Sequence, residues 1–190
     1  MRRLTIEAGP EGPARLLESG LPWATVLPGS LETGTDLSGA DRQAPRLIVR
    51  SGRDVKDAES AFASWSDAGW RAFDDAAAAL LDESVAPVLI WPGAGSVLSD
   101  AVSTLSFARR QPGVGLMVDP VAWIGASMAK DAEDHLARFA QALAACPTVA
   151  CVVVRPCERG GLDTGVVAAA LSPLLDRFPA AATPADHERF

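Results

Sequence analysis

The stretch Gly113-Val-Gly-Leu-Met-Val-Asp119-Pro120 is a short apolar run that stops at a carboxylate and turns on a proline. Residues 114–118 carry no charge. A continuous apolar run of that length suits a strand whose sheet is covered on both faces. Asp119 then falls at the C-terminal end of the strand, where parallel α/β folds gather their ligand-binding groups.

Runs with the same punctuation recur on either side. Residues 4–6 lead into Glu7-Ala-Gly9, 24–26 into Leu27-Pro-Gly29, and 47–49 into Arg50-Ser-Gly52. Residues 88–90 lead into Trp91-Pro-Gly93 and 149–154 into Arg155-Pro156. Proline cannot continue a central ladder and glycine permits a sharp turn, so with residues 116–118 these endings mark six expected strands. Between the later strands, apolar residues recur at three- and four-residue spacing. This predicts helices over residues 54–68 and 70–83, separated at Gly69, and over 96–109, capped by Ser96. Two more are predicted over residues 131–145 and over 163–178, the last with Asp163 as N-cap. Strands alternating with helices of this length predict an α/β fold of parallel βα repeats.

Two segments depart from the alternation. Residues 11–20 are short for a crossover, and 29–44 form a polar loop with no helical stripe. Residues 179–190 show no periodicity and are expected to be a flexible C-terminal tail, leaving residues 1–178 as a single α/β barrel-like domain.

With 190 residues, 48% of them hydrophobic, the chain can bury one full core. Seventeen basic against 24 acidic residues give a net charge of −7, with no basic patch, which argues against nucleic acid as a partner. No apolar run approaches the roughly 18 residues that a bilayer span needs. A soluble, cytoplasmic protein is therefore expected. Cys146, Cys151 and Cys157 fit neither a disulfide framework nor a common zinc spacing, and reduced thiols suit a cytoplasm.

If the strands are parallel, Glu7, Arg50, Trp91, Asp119 and Arg155 share one rim. Arginine forks bind phosphate or carboxylate, carboxylates accept from hydroxyls, and an indole stacks on a sugar face, so this set suits a small sugar-like or anionic ligand. The competing reading is that Arg50 and Arg155 only neutralise Glu7 and Asp119. The turn Trp91-Pro-Gly93-Ala-Gly95-Ser96 offers main-chain N–H groups of Gly93 and Gly95 to an anion, but it lacks the third glycine of a dinucleotide fingerprint and the lysine of a P-loop. His135 is expected on a surface helix and His187 in the tail, so neither serves the rim. Cys157, between Arg155 and Arg159, has no rim histidine to act as its base. No metal site and no cofactor are expected.

The order of these pieces resembles the sugar phosphate isomerase/epimerase group of the xylose-isomerase-like TIM barrels. The residues that carry the resemblance are Phe73-Asp-Asp-Ala-Ala-Ala-Ala-Leu-Leu-Asp-Glu-Ser-Val-Ala-Pro-Val-Leu-Ile-Trp91, Val114-Gly-Leu-Met-Val-Asp119 and Gly160-Gly-Leu-Asp163, within residues 47–175. It implies a TIM-barrel-like fold, degenerate here because six strands are recognisable where the family has eight. It also implies a divalent metal, but Trp91 stands where the family has a ligand Glu, and Ala122 where a His would follow Asp119. Only Asp119 remains of that set, and one carboxylate holds a divalent ion weakly.

Three readings follow. The chain is a metal-free relative that binds a ligand at the rim; or an isomerase/epimerase using Glu7 and Asp119 as acid and base; or a non-catalytic structural or interaction subunit. A homo-oligomer, or a partner subunit that completes the sheet, would accommodate the missing strands.

Overall fold

The computed structural model describes residues 2–7, 15–18, 21–32, 34–35, 45–52, 65–84, 86–93, 96–178 and 180–184. All six expected strands form. They are β1 (Arg2–Glu7), β3 (Leu21–Ser30), β5 (Leu47–Arg50), β6 (Val88–Trp91), β7 (Gly115–Val118) and β8 (Val149–Val153). Three further strands are β2 (Arg15–Glu18), the two-residue β4 (Gly34–Thr35), which pairs with the end of β3, and β9 (Ala180–Pro184).

The sheet is curled and dominated by parallel pairings. β9, β8, β7, β6, β5 and β3 follow one another in parallel, and β9 also pairs in parallel with β1. β2 lies antiparallel between β1 and β3, and its two ladders close the pairings into a ring within one chain. The segment 11–20, short for a crossover, contains the strand β2, which pairs antiparallel with β1 and β3. One expectation is corrected here. Residues 180–184 of the expected tail form the strand that joins β8 to β1, so the domain does not end at residue 178; residues 185–190 lie outside those described. The missing strands are therefore supplied by the chain itself, and the ring needs no strand from a second subunit.

Alternation along each strand sorts its side chains into two cores. Inside the ring, Leu4, Ile6, Leu16, Ala24, Val26, Ile48, Leu89, Met117, Cys151 and Val153 meet in one buried cluster with Trp23. On the other face, Leu47, Val49, Val88, Ile90, Leu116, Val118, Val152 and Val154 belong to a second cluster, shared with the helices. A small ring filled by side chains is a packed core and not a channel. Gly115 shows how tightly it is filled, because a Cβ there would clash with Leu89 Cδ2.

Four helical layers cover the outside of β5 to β8. They are α1 (Asp67–Glu83), α2 (Ala101–Arg110), α3 (Ala132–Ala144) and the broken pair α4 (Thr164–Ala170) and α5 (Ser172–Leu175). Each presents a buried face, through Phe73, Ala77 and Leu80 on α1, Phe107 and Ala108 on α2, Leu136, Ala140 and Leu143 on α3, and Val167 and Leu174 on the last pair; on α2 the expected stripe through Val102 is not the buried one, since Val102 is 79% exposed and Ala101 and Thr104 face inward instead. Phe73 and Phe107 meet edge to face at 5.2 Å and tie α1 to α2.

The helix starts agree with expectation at Asp163 and differ in detail at α1 and α2. Asp163 caps α4, accepting from Val166 N–H at 2.9 Å. Gly69 does not interrupt α1 but lies in its first turn and donates to the cap Ser66. Ser96 is not the cap of α2; Asp100 is, in a reciprocal box with Ser103. Pro173 lacks an N–H to continue a helix, and the expected single helix over 163–178 divides just before it. Of the helix expected over 54–68, residues 54–64 lie outside those described.

Two consequences can be measured. Ending the chain at Phe178 removes the strand between β1 and β8, and the truncated protein is expected to lose cooperative urea unfolding; an unchanged transition would contradict the closed ring. Gly115→Val is expected to destabilise by about 1–3 kcal/mol through overpacking of the inner core, read from the same transition.

Candidate functional site

The inner face of the ring continues into its C-terminal rim. Each rim side chain follows an inner-core residue by two positions: Arg50 after Ile48, Trp91 after Leu89, Asp119 after Met117 and Arg155 after Val153. Because the side-chain period of a strand is two, four adjacent strands deliver these groups to one side. Among these residues the structure shows two pairs, Arg50 with Trp91 and Asp119 with Arg155. Glu7 ends β1 at the same rim, with its main chain paired to Arg15; its side chain lies outside those described.

Asp119 is 4% exposed. Its Oδ2 accepts from Arg155 Nε at 2.9 Å, and its Oδ1 accepts from Ala122 N–H at 3.2 Å. The second bond caps the short 3-10 helix Pro120–Trp123, so the proline turn after β7 fixes the carboxylate. Burial raises the Asp119 pKa above the usual carboxylate value, and Arg155 and the hydrogen bonds offset only part of that rise.

Arg155 is more open, with 29% of its side chain exposed. Nε is its bond to Asp119, and no other described residue pairs with its guanidinium. Arg50 and Trp91 are direct partners across β5 and β6, and the guanidinium of Arg50 lies 5.2 Å from the indole centroid. Such stacking leaves the edge of a guanidinium open to an anion. The neutralising reading is met for Arg155 with Asp119, but Arg50 is held by an aromatic face, and no described carboxylate pairs with it.

The glycine turn is used differently from expectation. Gly93 N–H donates to Ser51 Oγ at 3.1 Å, so that amide is turned into the protein instead of toward a ligand. Gly95 lies outside the described residues. Ser51 Oγ and Ser96 Oγ are 2.6 Å apart, Ser96 Oγ donates to Gly93 O, and Val97 N–H donates to Glu32 Oε1 at 2.8 Å. Gly52 packs so closely on Glu32 that a Cβ would come within 2.6 Å of its carboxylate. Sequence reasoning missed Glu32 and Ser51 and gave Ser96 a different role; the three join the loops after β3, β5 and β6. The available signal was a small polar residue, Ser51, directly after the end of β5.

Among the described residues no three His, Cys, Asp or Glu side chains converge as a metal-ligand group. The one rim carboxylate described is engaged through both oxygens, so these residues do not fit the divalent metal that the family resemblance implies. Cys157 is buried, with its main chain bridged to Leu162. His135 packs against Phe139 on α3. Outside the ring, a groove of about 730 Å³ between α1 and α2 is lined by Trp65, Trp70 and Val102 among others. Its Asp74 and Arg110 are already paired, and Arg110 stacks on Trp70; the strand-end groups of the rim have the better chemistry for a small ligand. No described helix is long and apolar enough to cross a membrane.

No protein-family model matches this chain, and no curated protein is significantly similar to it.

The raised pKa of Asp119 has a sign that can be checked. In the window between the unfolded carboxylate value and the raised folded one, the native state binds the extra proton, so this group's contribution falls as pH rises. The stability of the wild type relative to Asp119→Asn is expected to be greatest at acid pH and to decline through that window. Urea midpoints taken across pH would show it, and a constant difference would contradict it.

Proposed function

We propose that this protein binds a small anionic, sugar-like molecule at the C-terminal rim of its strands, and that it is a divergent relative of the sugar phosphate isomerase/epimerase barrels without their metal chemistry. The observation that supports the binding reading is that Arg50, stacked on Trp91, and Arg155, bonded through Nε to Asp119, follow the inner-face residues Ile48 and Val153 by two positions, with no further described partner for either guanidinium. Arg155 supplies charge-assisted donors to a phosphate or carboxylate, Trp91 supplies a flat apolar wall for a sugar ring, and Arg50 holds that wall and adds a second cation. The kinship is supported by strands adjacent in chain order around a ring and by helices placed after β5 to β8.

A binding role accounts for Asp119 better than acid–base work does. Both its oxygens are committed, to Arg155 and to Ala122 N–H, and it is almost entirely buried. A general base must contact the substrate proton that it takes, and a carboxylate this buried and held is not presented to a substrate at the rim.

Titration with aldose and ketose phosphates, followed by tryptophan fluorescence, tests this reading. The wild type is expected to bind saturably. Arg50→Ala leaves the Asp119–Arg155 pair in place and is expected to weaken binding roughly 10- to 100-fold, as loss of a hydrogen bond to a charged group does, with an unchanged urea midpoint. Absence of saturable binding by the wild type, or equal affinity in the variant, would refute it.

A further inference from the structure

We propose that an anion entering the rim beside Arg155 is taken up together with a proton on Asp119, so that binding at this site is proton-linked. The inference rests on the ligand-site reading above and adds to it the behaviour of the buried carboxylate.

The geometry sets up the linkage. Asp119 is 4% exposed, and the charged group acting on it among the described residues is Arg155, at the end of β8. The neighbouring β6 ends in the neutral Trp91, and the turn after Asp119 contributes only the main-chain N–H groups of Val121 and Ala122. The Arg155 side chain is 29% exposed and reaches Asp119 through Nε, and its outer nitrogens bond to no described residue. An anion that engages those nitrogens places a second negative charge around one guanidinium, beside a carboxylate that water does not solvate. Like charges that share a buried site favour protonation of one of them. Asp119 is already disposed to hold a proton by its burial. When the anion binds, the proton comes from solvent and the O–H bond forms on a carboxylate oxygen of Asp119; no other bond changes. By linkage, the same coupling makes affinity fall as pH rises above the Asp119 pKa.

Sulfate is the suitable probe, because it carries its full charge throughout the useful pH range. Calorimetric titration of the folded protein at constant ionic strength, in two buffers of different ionisation enthalpy, counts the protons taken up. The expected result is net uptake of up to one proton per sulfate, with the dissociation constant rising by up to about tenfold per pH unit above the Asp119 pKa. Asp119→Asn should abolish the uptake, remove the pH dependence and bind sulfate more tightly than the wild type at neutral pH. Sulfate binding with no proton uptake and no pH dependence in the wild type would overturn the linkage and leave the ligand site standing. Failure of the wild type to bind sulfate or any sugar phosphate would overturn both. The wild-type measurements decide the matter even if the variant does not fold.

Discussion

The structure depends on closing the ring of strands. Until β2 and β9 are in place, the apolar residues of six strands line the inside of a curved sheet that is open to water. Once they pair, Leu4, Ile6, Leu16, Ile48, Leu89 and Met117 meet in a dry interior in which each is at most 3% exposed. Fully burying such a side chain is worth about 1.5–3 kcal/mol, so even a handful outweighs the pairing of two short strands. Closure also removes the sheet edges that would otherwise invite pairing with another chain.

The site is a by-product of the same alternation. The period that sends Met117 and Val153 inward sends Asp119 and Arg155 to the rim on the same side, and the inner core beneath them excludes water from the Asp119 carboxylate. Burial alone would be costly for a charge, and Arg155 and Ala122 N–H compensate for part of it. The outcome is a carboxylate with a raised pKa next to a half-open guanidinium. The Glu32–Ser51–Ser96 cluster plays a supporting part, since it holds the neighbouring loops with bonds that span from 45 to 65 residues of chain.

Much of this was legible in the sequence, for identifiable reasons. The six expected strands declared themselves because each is a short apolar run ended by proline or glycine, and their end residues indicated the rim because parallel strands share a direction. The two strands that closed the ring were hidden. Arg15-Leu-Leu-Glu18 has only two apolar residues between charges, and Ala180-Ala-Ala-Thr-Pro184 has a composition that disfavours strands locally. Both become strands because tertiary pairing overrides local preference: β2 has a ladder on each side, and β9 fills the gap between β1 and β8. Ser96 was misread as a helix cap because a serine before an apolar stripe has that signature, whereas burial against Ser51 can only be seen in three dimensions.

The most direct test of this account is a nuclear Overhauser measurement across the two hidden ladders. A closed ring predicts cross-strand contacts between Leu16 and Ala24 and between Leu4 and Ala182, with slow amide exchange in both strands. Random-coil shifts and fast exchange over residues 180–184 and 15–18, with the remaining strands intact, would show an open sheet and contradict it.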